Sequence, residues 1–167
     1  MAELTRKELI LALIPAGEHP RLAGLDLSGL DLSNLDLQGA DLKGSDLSGC
    51  TLHRANLSGA NMRRCNLTEA NLTDANASKA KLDHAICFRT HFERAILEHG
   101  DAGEAFFKEA IFTNTRCEDL FLKGAKFLGA RCVKCDFSGA NLEDVDWTDT
   151  VLEGCIFNGA HHPPKGS

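Results

Sequence analysis

No apolar run in this chain approaches the ~20 residues that a membrane-spanning helix requires, so no membrane association is expected. Catalytic signatures are missing as well. There is no Gly-x-Ser-x-Gly elbow to expose a nucleophile, and neither glycine-rich pattern that cradles phosphate groups occurs. A strong basic excess is also absent: 18 Lys and Arg stand against 24 Asp and Glu, for a net charge of -6. That balance argues against direct nucleic-acid binding, yet it is far from a polyanion. Seven cysteines cannot all pair, so a secreted disulfide framework would leave one over. The apolar stretch from Leu9 to Ile14 follows Arg6 and Lys7, but it is short and has Glu3 and Glu8 around it. It predicts a helix better than a secretory leader.

What is present is a repeat. Large apolar residues recur every five positions: Leu22, Leu27, Leu32, Leu37, Leu42 and so on to Leu152 and Phe157. Every fifth residue from 22 to 157 gives 28 positions without insertion or deletion. Two residues before each stands a mostly small side chain, such as Ala40, Ser45, Cys50, Ala55 or Ala60, and the position between the two is usually Asp or Asn from Asp26 to Asn76. A period of five fits neither an α-helix nor an ordinary strand. It fits a coil with four short sides, in which one large and one small residue per side point inward. The 28 sides make seven coils, and at ~4.8 Å per coil a rod of roughly 34 Å. Each coil buries its faces only against its neighbours, so the two ends need caps.

The runs Ala-Asp-Leu-Lys-Gly (40–44), Ala-Asn-Leu-Ser-Gly (55–59) and Ala-Asn-Leu-Thr-Asp (70–74) resemble the A(D/N)LXX motif of the pentapeptide-repeat family. The resemblance covers nearly the whole chain and implies an all-β solenoid, a right-handed quadrilateral β-helix. Thr-Arg-Lys-Glu (5–8) and the run from Arg21 to Ser33 also resemble the repeat regions of eukaryotic BTB/POZ proteins of the potassium-channel-tetramerisation type. No BTB domain accompanies them here. Three segments follow: residues 1–19 as capping helix and linker, 20–160 as β-helix, and 161–167 as a flexible tail.

At the N-terminal end, Thr5-x-x-Glu8 is a capping box, and Pro15 and Gly17 stop the helix it starts. A helix over 6–14 would lay Leu9, Ile10 and Leu13 on the first coil, with Leu25, Leu30 and Leu35 beneath it. At the other end, Pro163 and Pro164 cannot extend a sheet. Either the tail covers the last coil, or that end pairs with a second copy as a homodimer. Residues 98–104 are the weakest repeats, with only Ala102 at the large position, and predict a local bulge.

Chemistry-bearing residues mostly have structural readings. Cys132-x-x-Cys135 with Cys155, His161 and His162 has the look of a zinc set, but all seven cysteines occupy inward registers. They read as small core residues in a reducing, cytoplasmic setting, with no metal and no cofactor. Triplets for glycosylation at Asn56, Asn66, Asn71 and Asn76 are what the repeat itself produces. Asp26, Asp31, Asp36, Asp41 and Asp46 recur at one position, where hydrogen bonding to the turn backbone is the expected role. A closed, packed interior leaves no substrate pocket, and no enzymatic activity is expected.

Residues 20 apart stack on one wall. The column 26, 46, 66, 86, 106, 126, 146 reads Asp, Asp, Asn, Ile, Phe, Lys, Asp, and beside it Phe88 follows Ser28, Ser48 and Thr68. Ile86, Phe88 and Phe106 therefore converge on one outer wall as a candidate partner site. Ile96, Ile111 and Phe121 are lesser breaks on other walls. The expected function is a non-enzymatic scaffold that binds a protein partner, as yet unidentified, through its outer walls. The alternative follows from the resemblance: some bacterial pentapeptide-repeat proteins bind DNA gyrase as acidic mimics of DNA. Arg54, Arg63, Arg64, Arg89, Arg94, Lys108, Lys123, Lys126, Arg131 and Lys134 interrupt such an acidic surface here.

Overall fold

The computed structural model of the chain describes Thr5, residues 7–9 and residues 20–164. From Arg21 one five-residue unit repeats. An extended residue pairs with neighbouring coils, the next points inward, a turn follows, and a second inward residue closes the unit. The turn residue at places 24, 29 and so on to 159 has φ between 51 and 72° in all 28 units. With an ordinary φ before it, a left-handed third residue makes a type II turn, and the turn closes through bonds such as Ala60 N–H to the Leu57 carbonyl at 2.9 Å. Seventeen of these residues are not glycine and carry the cost of the left-handed region, ~1–2 kcal/mol each. Glycine removes that cost but loses ~0.5–1 kcal/mol of chain entropy. Lys79→Gly, at an exposed turn residue with φ 58°, is therefore expected to stabilise the protein by ~0.5–1 kcal/mol. A lower unfolding midpoint would show that its side chain makes a compensating contact.

Parallel pairing steps by 20 residues on all four sides, from Arg21↔Asp41 through Asn66↔Ile86 to Asn141↔His161. On one side the pairing lengthens into β1 (Ile111–Thr113), β2 (Arg131–Val133) and β3 (Val151–Glu153), a parallel sheet in the order β1-β2-β3. Prolines stand only at 15, 20, 163 and 164, so no ladder N–H between 21 and 162 is lost to one.

The core is a column of large residues interleaved with small ones. Leu27 to Leu72 and their neighbours are fully buried, and from Phe92 onward the filling turns aromatic. Phe92 and Phe112 stack at 4.8 Å, Phe107 and Phe127 lie at 4.8 Å, and Phe127 stacks on Trp147 at 4.7 Å. Small inward positions accept Ser, Thr and Cys because nearly all find the same acceptor, a carbonyl 23 residues earlier; Cys135, whose thiol meets the Val133 carbonyl at 3.6 Å, is the exception. Ser45 Oγ donates to the Leu22 carbonyl at 2.6 Å, Thr90 to Leu67 at 2.7 Å, and Cys65 Sγ to Leu42 at 2.8 Å. A buried hydroxyl without a partner would cost ~1–3 kcal/mol, and the stack supplies one.

Burial also holds these cysteines as thiols. Desolvation raises Cys50 from 9.0 to about 11 and Cys65 from 9.0 to about 12. The folded values lie above the unfolded one, so the stability they contribute is complete below pH 9.0 and is lost as pH rises through about 11 and about 12. Cys50→Ala is expected to lose less stability than the wild type over that window in denaturant titrations. Parallel losses would contradict this account of the alkaline limb.

The bulge expected at 98–104 does not form. Lys81↔Asp101 and Asp101↔Phe121 keep the register. A four-sided coil sets its first side against its third and its second against its fourth. Phe112 thus faces Ala102 and Phe107 faces Cys117, and large fills in for small. Likewise Leu120 fills the space that Gly100 leaves one coil earlier; a Cβ on Gly100 would stand 3.1 Å from Leu120 Cδ1.

At the N-terminal end the capping box is made. Thr5 N–H donates to Glu8 Oε2 at 2.8 Å, and Glu8 N–H donates to Thr5 Oγ1 at 3.2 Å. Residues 7–9 are helical, and Leu9 is fully buried in the core cluster that Leu25, Leu30 and Leu35 border. The rest of the expected 6–14 helix, with Ile10 and Leu13, lies outside the described residues, as do residues 165–167 of the tail. At the C-terminal end, Val145, Trp147, Leu152 and Phe157 are only half-buried.

Candidate partner-binding surface

Ile86 and Phe106 pair across adjacent coils as outward residues of one wall, 49% and 53% exposed. Their backbones are fixed by the ladder: Ile86 N–H donates to the Cys65 carbonyl and Phe106 N–H to the Ala85 carbonyl, both at 2.9 Å. The walls here are as regular as elsewhere, so the two side chains have no route into the core. Phe88 is half-buried instead, because cations cover it. The Arg89 guanidinium carbon lies 4.7 Å from its ring centroid and Lys108 Nζ 5.9 Å. Glu109 holds Arg89 at 2.8 Å, and Glu69 stands 3.9 Å away. Half-buried Leu128 continues the column below Lys108. Sequence columns give this wall, but they do not show that Arg89 screens Phe88.

Phe121, 41% exposed, belongs with this surface although it stands on the next wall. A groove of about 550 Å³ at the corner between the two walls is lined by both Phe106 and Phe121. The missed signal is Gly103, which removes a side chain at the corner. Ile96 and Ile111 are half-buried on other walls.

The remaining sequence candidates are engaged in the fold. Asp26 Oδ1 accepts from Ser28 N–H at 3.0 Å, and Asp31, Asp36, Asp41 and Asp46 repeat the bond two residues on. Asn56, Asn61 and Asn66 each donate to the Asp one coil earlier, at 2.9 to 3.1 Å. These carboxylates are turn and ladder elements rather than acid–base pairs. Cys132 and Cys135 are buried, Cys155 is half-buried with its thiol donating to the Cys132 carbonyl at 3.3 Å, and His161 and His162 are exposed. Among the described residues no group of three or more His, Cys, Asp or Glu side chains is arranged to hold a metal ion.

Ion pairs link coils along the walls. Arg63 meets Asp83 at 2.6 Å, Arg94 meets Asp74 at 2.6 Å, and Lys123 meets Glu143 at 2.9 Å. Each exposed pair contributes little by itself because solvent screens it, but together they mix the signs of surface charge in the middle coils. Among the described residues no helix is long and apolar enough to cross a membrane.

A four-sided coil of 20 residues, with a left-handed turn closing each fifth residue and an interior filled by side chains, defines a β-helix solenoid. The pentapeptide-repeats profile matches in eight copies over residues 21–54, 50–86, 89–129 and 130–161, and the chain belongs to that family of right-handed β-helices. No enzymatic family is indicated.

Among solved structures, the chain is similar to HetL, a pentapeptide repeat protein involved in heterocyst differentiation regulation from the cyanobacterium Nostoc sp. The two share 27% identity over 88% of this chain and 73% of that one, with a TM-score of 0.49. It is also similar to trypsin-treated QnrB1, a plasmid-mediated fluoroquinolone resistance protein, at 21% identity over 86% of this chain and 76% of that one, TM-score 0.44. A pentapeptide repeat protein from the thylakoid lumen of Arabidopsis thaliana aligns at 25% identity over 75% of this chain and 70% of that one, TM-score 0.36. No curated protein matches significantly.

Proposed function

We propose that this protein is a non-enzymatic interaction module. It is a rod of seven coils with Leu9 packed on one end, and it binds a partner protein through the wall of Ile86, Phe88 and Phe106. The observation that carries the reading is the pair Ile86 and Phe106, each about half exposed at the centre of a column that otherwise holds Asp, Asn and Lys. Such side chains on a rigid ladder are preorganised, so binding them costs little ordering entropy. The resemblance of the opening repeats to BTB/POZ repeat regions supports an adaptor-like role. Inward thiols support a reducing, cytoplasmic setting.

Affinity capture from native extract with wild-type rod and with Ile86→Lys/Phe106→Lys tests the wall. Both sites are exposed, so the double variant is expected to unfold at the wild-type midpoint and to lose the captured partner by about tenfold or more. Equal recovery by both rods would remove the wall from the function.

The acidic-mimic reading draws on the aspartates of the first coils, from Asp26 to Asp46. One oxygen of each accepts from a turn amide, and basic residues from Arg54 onward break the acidic stripe, so a gyrase supercoiling assay is expected to show no effect of the rod. Pairing of two copies through the C-terminal end is supported by half-buried Trp147 and Phe157 and by exposed Val151 and Ile156. Concentration-dependent mass in sedimentation tests it.

A further inference from the structure

The corner beside the Phe106 wall is hollow, and its chemistry is selective. Residues 101–103 run along one side, 106–108 along the next, and Glu104 turns between them with φ 54°. In the stack before Gly103 comes Asp83 and after it Lys123, but at Gly103 there is no side chain. The Phe121 ring leans over that place; a Cβ on Gly103 would stand 3.1 Å from Phe121 Cε1. The resulting groove, about 550 Å³, has exposed aromatic rings on both flanks, Phe106 and Phe121.

Its lining is electrically unbalanced. Of its four carboxylates, Asp83, Asp101, Glu104 and Asp144, Arg63 already holds Asp83 at 2.6 Å, so three face the two ammonium groups of Lys123 and Lys126. Glu143, in the next coil, already holds Lys123 at 2.9 Å. The Glu104 side chain is 70% exposed, with His84 Nδ1 3.4 Å away. Aromatic faces beside unbalanced carboxylates favour a cation that can stack and donate at once. A guanidinium does both, since it is planar, weakly hydrated and forked, whereas an ammonium is a compact and strongly hydrated point charge. The neighbouring wall already holds such an arrangement within this chain: Arg89 lies over Phe88 with Glu109 and Glu69 beside it.

We propose that the corner groove receives an arginine side chain from the partner polypeptide, stacked on Phe106 or Phe121 and paired with Glu104 and Asp101. This deepens the interaction reading of the wall and rests on it through the shared Phe106.

The test titrates the full chain with short Gly/Ser peptides that carry a central Arg-Leu-Arg, and with the same peptides bearing lysine or citrulline in place of arginine. Backbone amide shifts of Gly103 and Gly124 report the groove. The arginine peptide is expected to shift both amides saturably, with the citrulline peptide weaker by about tenfold or more and lysine in between. Glu104→Gln and Phe121→Ala should each reduce the arginine response, and both sites are exposed, so the remaining spectrum should match wild type. Equal binding of arginine and citrulline peptides, shifts elsewhere on the rod, or no shift at all would overturn the groove. Partner capture that is lost with Ile86→Lys/Phe106→Lys yet kept with Glu104→Gln would overturn the groove and leave the wall reading standing. Arginine binding in the groove with capture unaffected by the wall variant would do the reverse.

Discussion

Leu67→Asp is expected to abolish cooperative folding of the middle coils at neutral pH. Leu67 is fully buried, with Leu47 one coil before it and Cys87 one coil after. Losing a core leucine costs ~2–5 kcal/mol, and a buried carboxylate without a partner costs several more. The sum is of the order of the whole stability of a domain, ~5–15 kcal/mol. In the folded rod the new carboxyl would be pushed well above its unfolded value near ~3.9. The deficit should therefore shrink as pH falls toward that value and grow as it rises. Asn66→Ala, one residue away and outward, gives the contrast. It removes two hydrogen bonds, Asn66 Nδ2 to Asp46 Oδ1 and Thr68 N–H to Asn66 Oδ1, both 3.1 Å, at ~1–2 kcal/mol together. Circular dichroism and denaturant titration of the two variants read the difference. Equal losses would contradict the inward and outward assignment on which every other residue placement rests.

Phe107→Ala is expected to cost ~3–5 kcal/mol, with the rod still folded. Its ring contacts Phe92 at 5.8 Å, Phe112 at 5.4 Å and Phe127 at 4.8 Å. The coil offers little to fill the hole, because the residues on the remaining sides include Ala102 and Cys117. Phe157→Ala should cost clearly less. That ring is only half-buried, stacking on Phe137 at 5.4 Å and meeting Trp147 at 6.5 Å. Midpoints from denaturant titration separate the two. If the terminal substitution costs as much as the central one, the C-terminal end is more tightly covered than its exposure indicates.

Much of this architecture is legible in the sequence because the repeat is local and unbroken. Leu67 and Asn66 take opposite sides of the wall by register alone, and Asp26 to Asp46 repeat one position that lies beside a turn amide each time. The capping box at Thr5 and Glu8 is likewise a short-range pattern. Volume compensation is not local in this way. Ala102 looks like a defect until the four-sided geometry brings Phe112 opposite it, and Gly100 adds to the expected bulge until Leu120 occupies its space. The corner groove was hidden for a related reason. Columns 20 apart define walls, but Phe106 and Phe121 lie on different walls and meet only around Gly103. The partial cover of Phe88 depends on where the Arg89 side chain turns, which no column of letters encodes.

The most direct test of the interaction wall is amide hydrogen exchange on the rod alone and with its captured partner. The account predicts added protection at residues 86–89 and 103–108 and at Phe121, with the first coils and the C-terminal end unchanged. Protection confined to the aspartate-rich coils at 26–46, or to residues 145–160, would contradict it.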